Sequence, residues 1–479
     1  MALRKTIGLW SATSIVIGSV VGSTIFIKPA TMASQLGSPL LLIIVWLVAG
    51  IITFFGGMVY AELGSMYPET GGQYVYLQKM YGDFVAFLYG WSTIAVINTA
   101  AIAAISFVCA KYLGFFIHLP RFSPGIEHSV KWHIPGIADI FPLEDAGVKA
   151  VAILIVFILT IVNYVSVRYG NAIQFIATLV KVLVIIFLVV GILFSGQGDL
   201  TNLVTRSSQF HLSGWALLAA FMAATTGAFA SYDGWVNINM VAGEIKDPQK
   251  NLTKSLLFGL VICILIYVCM NFAYMYALPI DTMSHSSLVA SDATEKVLGR
   301  MGGAIVALLI VVSAFGATNI NLLTNARIVF AMGQDGTFFR WSGKIHPRYQ
   351  TPGNSVVIIA TWSCLFVISG SFDILADMFV FMAWVFYGLT VAGIFILRKK
   401  FPDYPRPYRI RGYPFIPIIF ALFTLFYVLV NLFNDIDNYR TGKSTVVNSV
   451  VGLLLTLAGV PIYWYLKRKA AGASAVTES

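Results

Sequence analysis

Long apolar runs are the feature of this sequence that most limits how the chain can fold. They follow one another along the chain with only short connections between them. A helix needs roughly 20 apolar residues to cross the hydrocarbon core of a bilayer, and lipid offers no partners to unpaired backbone groups, so such runs fold as helices. We therefore predict an all-α transmembrane fold of about 12 helices. The predicted segments are 8–36, 40–66, 84–117, 148–167, 171–195, 213–241, 255–278, 303–333, 354–370, 374–397, 414–433 and 446–466.

The shortage of charged residues supports this interpretation. Only 11% of the 479 residues are charged and 58% are hydrophobic, whereas a soluble domain usually carries about 25% charged residues. The connections are too short for a separate soluble domain, and the longest of them, 119–147, is rich in proline. We predict a single transmembrane domain over residues 1–479.

The positive charge of the chain lies mainly in every second connection. Examples are Lys246, Lys250 and the run at 398–400, with Arg4 and Lys5 before the first helix. Basic connections normally face the cytoplasm, so we predict a multi-pass protein of the cell (inner) membrane with both termini cytoplasmic. This distribution accounts for the net charge of +10, and the lipid bilayer, not nucleic acid, is the expected surrounding.

The first and sixth segments are interrupted in the same way. Residues 18–26 and 227–235 each bring glycine and small polar residues to the middle of a membrane helix. Unwound backbone at membrane depth is tolerated only beside protein or a water-filled cavity. Paired interruptions in corresponding halves are typical of transporters with inverted repeats and a substrate site at the midplane. The pair therefore predicts a transporter for a small molecule.

The interruption at Gly22, Ser23 and Thr24 suits a zwitterion. A broken helix exposes N–H groups that attract an anion and carbonyl groups that attract a cation. The hydroxyls of Ser23 and Thr24 can add donors to a carboxylate. The alternative is close helix packing, because Gly18 and Gly22 form a GxxxG pattern. We favour packing for Gly18 and substrate binding for the other three residues.

Two ionisable residues lie inside apolar segments, where charge is costly and usually functional. Asp233 could meet a substrate ammonium, accept a proton or bond N–H groups of the unwound backbone. Lys181 could occupy the place of a monovalent cation between facing helices. The alternative is a lysine that merely reaches the membrane interface. We place Ser313, in the eighth segment, near Lys181.

The other candidates for a pocket or gate are weaker. Asn98 lies in the third segment, and Phe381 and Trp384 lie in an aromatic stretch of the tenth. At helical spacing such aromatic residues are mainly core packing, with one of them lining the pocket as a gate.

Other classes of protein are disfavoured. The four cysteines lie in apolar runs without a neighbouring histidine, so we expect no metal site, no disulfide and no cofactor. The histidines lie in loops or at membrane edges, and the chain has neither HExxH nor GxSxG, which argues against an enzyme. A receptor would need a signalling domain, and the sequence does not indicate one. A channel is disfavoured because helix breaks of this kind form an occluding site, not a continuous pore.

These motifs resemble the amino acid–polyamine–organocation superfamily, and within it the L-type amino acid transporters and their bacterial serine/threonine exchanger relatives. The resemblance covers nearly the whole chain, in order and spacing. It rests on GSTIF at 22–26 beside the family's GSGIF, YDGW at 232–235 beside AYDGW, GEIKDPQKNL at 243–252, SAFGATN at 313–319, and IHP at 345–347 with TP at 351–352.

The resemblance implies a five-plus-five inverted repeat, 8–195 and 213–397, followed by two extra helices within 414–466. It also implies sodium-independent transport of L-amino acids by alternating access, often as obligatory exchange. Lys181 matches the lysine that takes the place of a sodium ion and ties the first helix to the eighth. The implied substrate site comprises Val20, Gly22, Ser23, Thr24, Ala230, Ser231 and Asp233.

Three departures from the family pattern bear on function. Thr24 replaces the second glycine of GSGIF. Ala230 stands where relatives usually have an aromatic gate, although Phe229 is adjacent. The connection 119–147 lacks the cysteine by which animal members join a glycoprotein, so we expect no disulfide-linked heavy-chain partner. We predict an exchanger of neutral L-amino acids; the alternatives are a proton-coupled permease and a preference for cationic amino acids, both centred on Asp233.

Overall fold

The computed structural model describes residues 7–68, 71–165, 167–208, 210, 212–240, 242–334 and 336–477. Arg4 and Lys5, which belong to the predicted cytoplasmic charge, lie outside the described residues. The first helices are α1 (Leu9–Val20), α2 (Lys28–Leu36), α3 (Pro39–Met66), α4 (Gln73–Tyr81), α5 (Asp83–Ser92), α6 (Asn98–Leu113), α7 (Pro124–Glu127), α8 (Ala146–Val165) and α9 (Val167–Leu193).

The remaining elements follow the same pattern of long helices and short links. They are α10 (Gly214–Tyr232), α11 (Asn237–Met240), α12 (Pro248–Ala277), α13 (Ile280–Ser284), α14 (Val289–Gln334), α15 (Gly353–Ser369), α16 (Phe372–Lys400), α17 (Phe415–Arg440), α18 (Asn448–Leu457) and α19 (Gly459–Thr477), with strands β1 (Trp132–Ile134) and β2 (Ala138–Ile140).

The helices confirm the predicted polytopic all-α membrane fold. Among the described residues, nine helical spans are long and apolar enough to cross a membrane, and three shorter apolar helices accompany them. The nine long spans and three shorter helices together agree with the about 12 helices that hydropathy predicts. Local signals explain where helices begin: before α3, the Ser38 side chain accepts the Leu41 N–H, and Pro39 occupies the first helical position, as helix starts favour.

Exposed apolar side chains on α17 show what surrounds the bundle. Leu422, Leu425, Leu429 and Phe433 are each between 55% and 61% exposed. Their spacing places them on one face of the helix. A protein in water rarely exposes a continuous apolar stripe of this size, so this face contacts lipid.

The structure divides some of the predicted segments. A π-helical turn, Thr93–Ile97, joins α5 to α6. α14 bends at Gly299, whose φ of 75° suits glycine, and the last predicted segment is two helices, α18 and α19. The proline-rich connection 119–147 holds the single turn α7 and the antiparallel pair β1–β2, in which Trp132 lies opposite Ile140, before α8 begins at Ala146.

The chain forms two compact units. The first comprises Met1–Ala86, Val182–Ala307 and Ala383–Asn434. Within it, α12 packs against α1 and α3, and α10 packs against α2 and α3. Gly50, Gly57 and Gly64 recur every seven residues on α3; a Cβ atom at Gly57 would lie 2.5 Å from the Leu260 side chain. Small residues let membrane helices approach this closely.

The second unit comprises Phe87–Lys181, Leu308–Met382 and Asp435–Ser479. Within it, α15 packs against α6 and α8. The first unit thus holds the first, second, sixth and seventh predicted segments, and the second holds most of the third, fourth, eighth and ninth. The five-plus-five inverted repeat stays a prediction.

Candidate functional site

The first interruption lies between α1 and α2. α1 ends at Val20, a 3₁₀ turn covers Thr24–Phe26, and α2 begins at Lys28. Gly22 and Ser23 therefore lie in non-helical backbone at the middle of a predicted membrane segment. This break leaves the carbonyl end of α1 and the N–H end of the next turn close together in the chain, which is the arrangement that the sequence predicts.

The second interruption is shorter than predicted. α10 continues to Tyr232 and α11 begins at Asn237, so 227–231 are helical and the break covers only 233–236. Gly234 lies in this break with φ of 97°. A Cβ atom there would lie 2.5 Å from the Ser19 carbonyl oxygen. The second break therefore approaches the backbone of α1 so closely that only glycine fits.

Two hydroxyl groups connect the breaks. Thr24 Oγ1 donates to the carbonyl oxygen of Ala230 at 3.3 Å. The hydroxyl of Tyr267, on α12, lies 2.8 Å from the carbonyl oxygen of Val20 and 2.6 Å from that of Ser231. The four predicted substrate residues Val20, Thr24, Ala230 and Ser231 are thus brought together, and the carbonyl oxygens of Val20 and Ser231 meet at one hydroxyl group.

The sequence analysis missed Tyr267. Its side chain is fully buried and its ring packs against Trp46 and Tyr232, with centroids 5.2 and 4.9 Å away. A buried tyrosine hydroxyl usually has a hydrogen-bond partner. A tyrosine near the middle of an apolar membrane segment was therefore a signal, although the sequence does not say which carbonyl groups it reaches.

Ser23 provides a polar group that the protein does not use itself. The side chain is fully buried, and its Oγ has no hydrogen-bond partner among the described residues. A buried hydroxyl without a partner costs about 1–3 kcal/mol. A Cβ atom at neighbouring Gly22 would meet only ordinary contacts, 3.6 Å from Thr24 Oγ1 and 3.7 Å from the Val20 oxygen. The unused hydroxyl of Ser23 and the room beside Gly22 are both consistent with a ligand-binding position at this break.

Asp233 lies at the second break and has a protein partner. Its Oδ1 accepts a hydrogen bond from the Tyr387 hydroxyl at 2.7 Å, and its side chain is half-buried. The Tyr387 ring packs against Trp235 and Tyr60, with centroids 5.2 and 6.3 Å away. The carboxylate is held in place by α16, and Tyr387 is a second residue that the sequence analysis did not include in the site.

The predicted gate residues Phe229 and Trp384 contact each other. Their rings are stacked with centroids 3.6 Å apart, and Trp384 also stacks on Phe420. Tyr427 meets Phe229 edge-on at 5.2 Å. Phe229 is therefore part of an aromatic cluster with α16 and α17, next to Ala230 but packed among other rings.

The other predicted residues belong to the second unit. Lys181, on α9, is 6% exposed, and Ser313, on α14, is fully buried. Ser313 Oγ has no hydrogen-bond partner in the described part of the chain. Asn98 is half-buried and begins α6 directly after the π-helical turn, and Phe381 is 3% exposed. Because π-helical turns are frequent at functional sites, this position supports Asn98 as a candidate pocket residue.

Comparison with known proteins identifies the family. Residues 7–456 match the family model described as amino acid permease. The chain is 30% identical over 472 residues to the serine/threonine exchanger SteT of Bacillus subtilis (strain 168), covering 98% of each chain. It is 31% identical over 468 residues to the human large neutral amino acids transporter small subunit 2, covering 97% of this chain and 81% of the relative. It is also 30% identical over 465 residues to the human cystine/glutamate transporter, covering 96% and 85%.

The family model spans nearly the whole chain, including both helix breaks, and the relatives match it end to end. The resemblance to the amino acid–polyamine–organocation superfamily is therefore confirmed. The chain belongs to the amino acid permease family, and it is a multi-pass membrane transporter of amino acids, not an enzyme.

Proposed function

We propose that the protein exchanges neutral L-amino acids across the cell membrane, without sodium, by alternating access. The observation that carries this proposal is the contact between the two helix breaks, where Thr24 meets Ala230 and the Tyr267 hydroxyl meets Val20 and Ser231. Donors and acceptors thus lie together in one small region, as recognition of a zwitterion requires.

The substrate carboxylate binds at the first break. Free N–H groups at a helix start attract anions because they are unpaired and lie at the positive end of the helix dipole. Gly22, Ser23 and Thr24 form this backbone. The Gly22 N–H donates to the Tyr267 hydroxyl in the protein, so we assign the carboxylate to the N–H groups of Ser23 and Thr24, with the buried Ser23 hydroxyl as an additional donor. A bound carboxylate gives the Ser23 hydroxyl a partner and removes the cost of its burial.

The substrate ammonium binds at the carbonyl side of the same region. The Ala230 carbonyl oxygen accepts from the Thr24 hydroxyl, and the Val20 and Ser231 carbonyl oxygens share the Tyr267 hydroxyl. A carbonyl oxygen has two lone pairs. Each can therefore also accept from an ammonium group. Asp233 adds negative charge on this side, positioned by Tyr387. Because both ends recognise groups that all α-amino acids share, side-chain selectivity must come from elsewhere in the pocket.

Sodium independence rests on Lys181. A buried ammonium on α9 supplies the positive charge that a bound cation would provide, and the unpartnered hydroxyl of Ser313 on α14 is an acceptor of the kind that would hold it. Exchange as the mode of transport rests on the relatives, among them a serine/threonine exchanger. Asp233 supports the second candidate function, proton coupling, because a carboxylate at the second break can take up a proton on a lone pair that Tyr387 and the Gly234 N–H do not use.

Purified protein in liposomes tests the proposal. Uptake of labelled serine should require an unlabelled neutral amino acid inside the vesicles and should be unchanged when choline replaces sodium. Arginine should compete poorly. Uptake into empty vesicles driven only by a pH gradient would refute exchange in favour of proton coupling, and strong competition by arginine would favour a cationic substrate.

The same vesicles test the absence of a partner. We propose that the protein works without a heavy chain because the connection 119–147 contains no cysteine, and activity of the single purified chain is the expected result. We also propose that both termini are cytoplasmic. A cysteine-accessibility experiment on intact cells tests this orientation: cysteines introduced at either terminus should resist a membrane-impermeant maleimide.

A further inference from the structure

The connection between α16 and α17 is anchored by a buried carboxylate that the transport proposal does not use. Glu62, near the end of α3, is fully buried. Arg398 Nε and Nη2 donate to its two oxygens at 3.0 and 2.6 Å, and the Ile410 N–H donates at 2.8 Å. Arg406 Nε lies 3.8 Å from the same carboxylate. One acidic group therefore fixes the start, middle and end of this connection.

The two arginines are held rigidly. Arg398 lies over the Tyr413 ring, 3.6 Å from its centroid. The Arg406 side chain is only 6% exposed, and its Nη1 and Nη2 donate to the carbonyl groups of Pro402 and Phe401 at 2.7 and 2.6 Å. A guanidinium group that is already fixed loses little conformational freedom on binding a ligand.

A surface cavity of about 220 Å³ lies against these arginines, and its lining is Arg398, Pro402, Arg406 and Arg409. Three guanidinium groups and the single carboxylate of Glu62 leave two positive charges in excess. Arg409 is exposed. The space is many times what one water needs, so the cavity has both the volume and the charge for a small anion.

Apolar side chains on α17, which begins six residues after Arg409, narrow the choice of anion. α17 begins directly after the connection, and Phe415, Ile419 and Leu422 are 70%, 46% and 61% exposed on one helix face. Basic pockets at the cytoplasmic side of membrane helices suit lipid head groups, and this end is cytoplasmic in the predicted orientation. An anion that continues into an apolar chain matches both the cavity and the helix face.

We propose that this arginine cavity binds the phosphate group of an anionic phospholipid of the cytoplasmic leaflet. Guanidinium groups bind phosphate through paired charge-assisted hydrogen bonds. Arg409 donates to the phosphate, Arg398 and Arg406 add positive charge beside it, and the acyl chains lie along the exposed face at the start of α17. The site is separate from the helix breaks in its residues and in its chemistry.

Native mass spectrometry of the purified transporter tests the site. Phosphatidylglycerol and phosphatidylcholine with identical acyl chains are added at equal concentration to the wild type, to Arg409→Gln and to Arg440→Gln. Arg440 is the matched control because it is exposed at the other end of α17. We expect the wild type and Arg440→Gln to retain phosphatidylglycerol about ten-fold better than phosphatidylcholine, and Arg409→Gln to lose this preference, with serine exchange intact in all three.

A second arm separates lipid from soluble anion. Inorganic phosphate and glycerol 3-phosphate, at concentrations equal to that of the lipid, should not displace phosphatidylglycerol. Displacement by either would overturn the lipid assignment in favour of a soluble phosphate site. Equal retention of the two lipids by the wild type, or an unchanged preference in Arg409→Gln, would overturn the site itself.

Discussion

Replacing Tyr267 by phenylalanine removes one hydroxyl from between the two helix breaks. That hydroxyl is fully buried and lies within 2.8 Å of two carbonyl oxygens, those of Val20 and Ser231. A hydroxyl has one hydrogen to donate, so the substitution removes about one donated hydrogen bond shared by two acceptors. It also removes the acceptor of the Gly22 N–H. The ring remains, and with it the packing against Trp46 and Tyr232.

The expected cost follows from burial. Leaving a buried acceptor without its partner costs about 1–3 kcal/mol. Because the same carbonyl groups are proposed to receive the substrate ammonium, we expect part of this cost to appear as weaker binding. An increase in the dissociation constant of serine of about ten-fold corresponds to about 1.4 kcal/mol. The remainder should appear as a lower apparent unfolding temperature of the ligand-free protein.

Tyr274→Phe is a matched control on the same helix. Tyr274 lies two turns beyond Tyr267 on α12 and is equally buried, but its hydroxyl has no hydrogen-bond partner in the described part of the chain. Removing it should leave serine binding and the unfolding temperature unchanged or slightly raise the latter. Both variants are measured by serine binding and by thermal unfolding in detergent. If Tyr267→Phe behaves like Tyr274→Phe in both assays, the hydroxyl does not hold the breaks together.

Five further substitutions test other parts of the structure. Lys181→Ala should lower the rate of serine exchange more than the amount of protein at the membrane; an unchanged rate in liposomes would make Lys181 a membrane anchor. Ser23→Leu should abolish binding of every amino acid in a competition panel, whereas a variant with altered side-chain preference would mean that this segment lines the side-chain pocket. Gly22→Ala should fold but bind serine more weakly, since a Cβ atom fits there only while substrate is absent. Gly234→Ala should reduce expression because its Cβ atom would overlap the Ser19 carbonyl oxygen. If both variants express and bind serine equally well, both expectations are contradicted. Glu62→Gln should reduce the free energy of unfolding by about 3–5 kcal/mol, since it leaves buried arginine charge unpaired, and an unchanged unfolding temperature would show that the ion pair contributes nothing.

The contacts at the breaks show how far sequence reasoning reaches. Residue types and their order located the first break at 22–24 and drew attention to Asp233, because glycine weakens a membrane helix and a buried charge is costly there unless function requires it. The second break was predicted too long, since 227–231 consist of residues that also fit a helix. Tyr267, Tyr387 and Glu62 were missed as partners because each acts through a residue distant in the sequence.

The amino-acid sequence by itself determined the class of fold, the approximate helices and the places where helices break. It could do so because lipid obliges each segment to satisfy its own backbone, so hydropathy and the positions of glycine carry the information locally. Only the tertiary structure decided which hydroxyl meets which carbonyl group. Thr24 and Ala230 are 206 residues apart, and Tyr267 and Val20 are 247 apart. Such pairs form because α2 packs on α10 and α12 packs on α1, and that packing depends on the shapes of many side chains together.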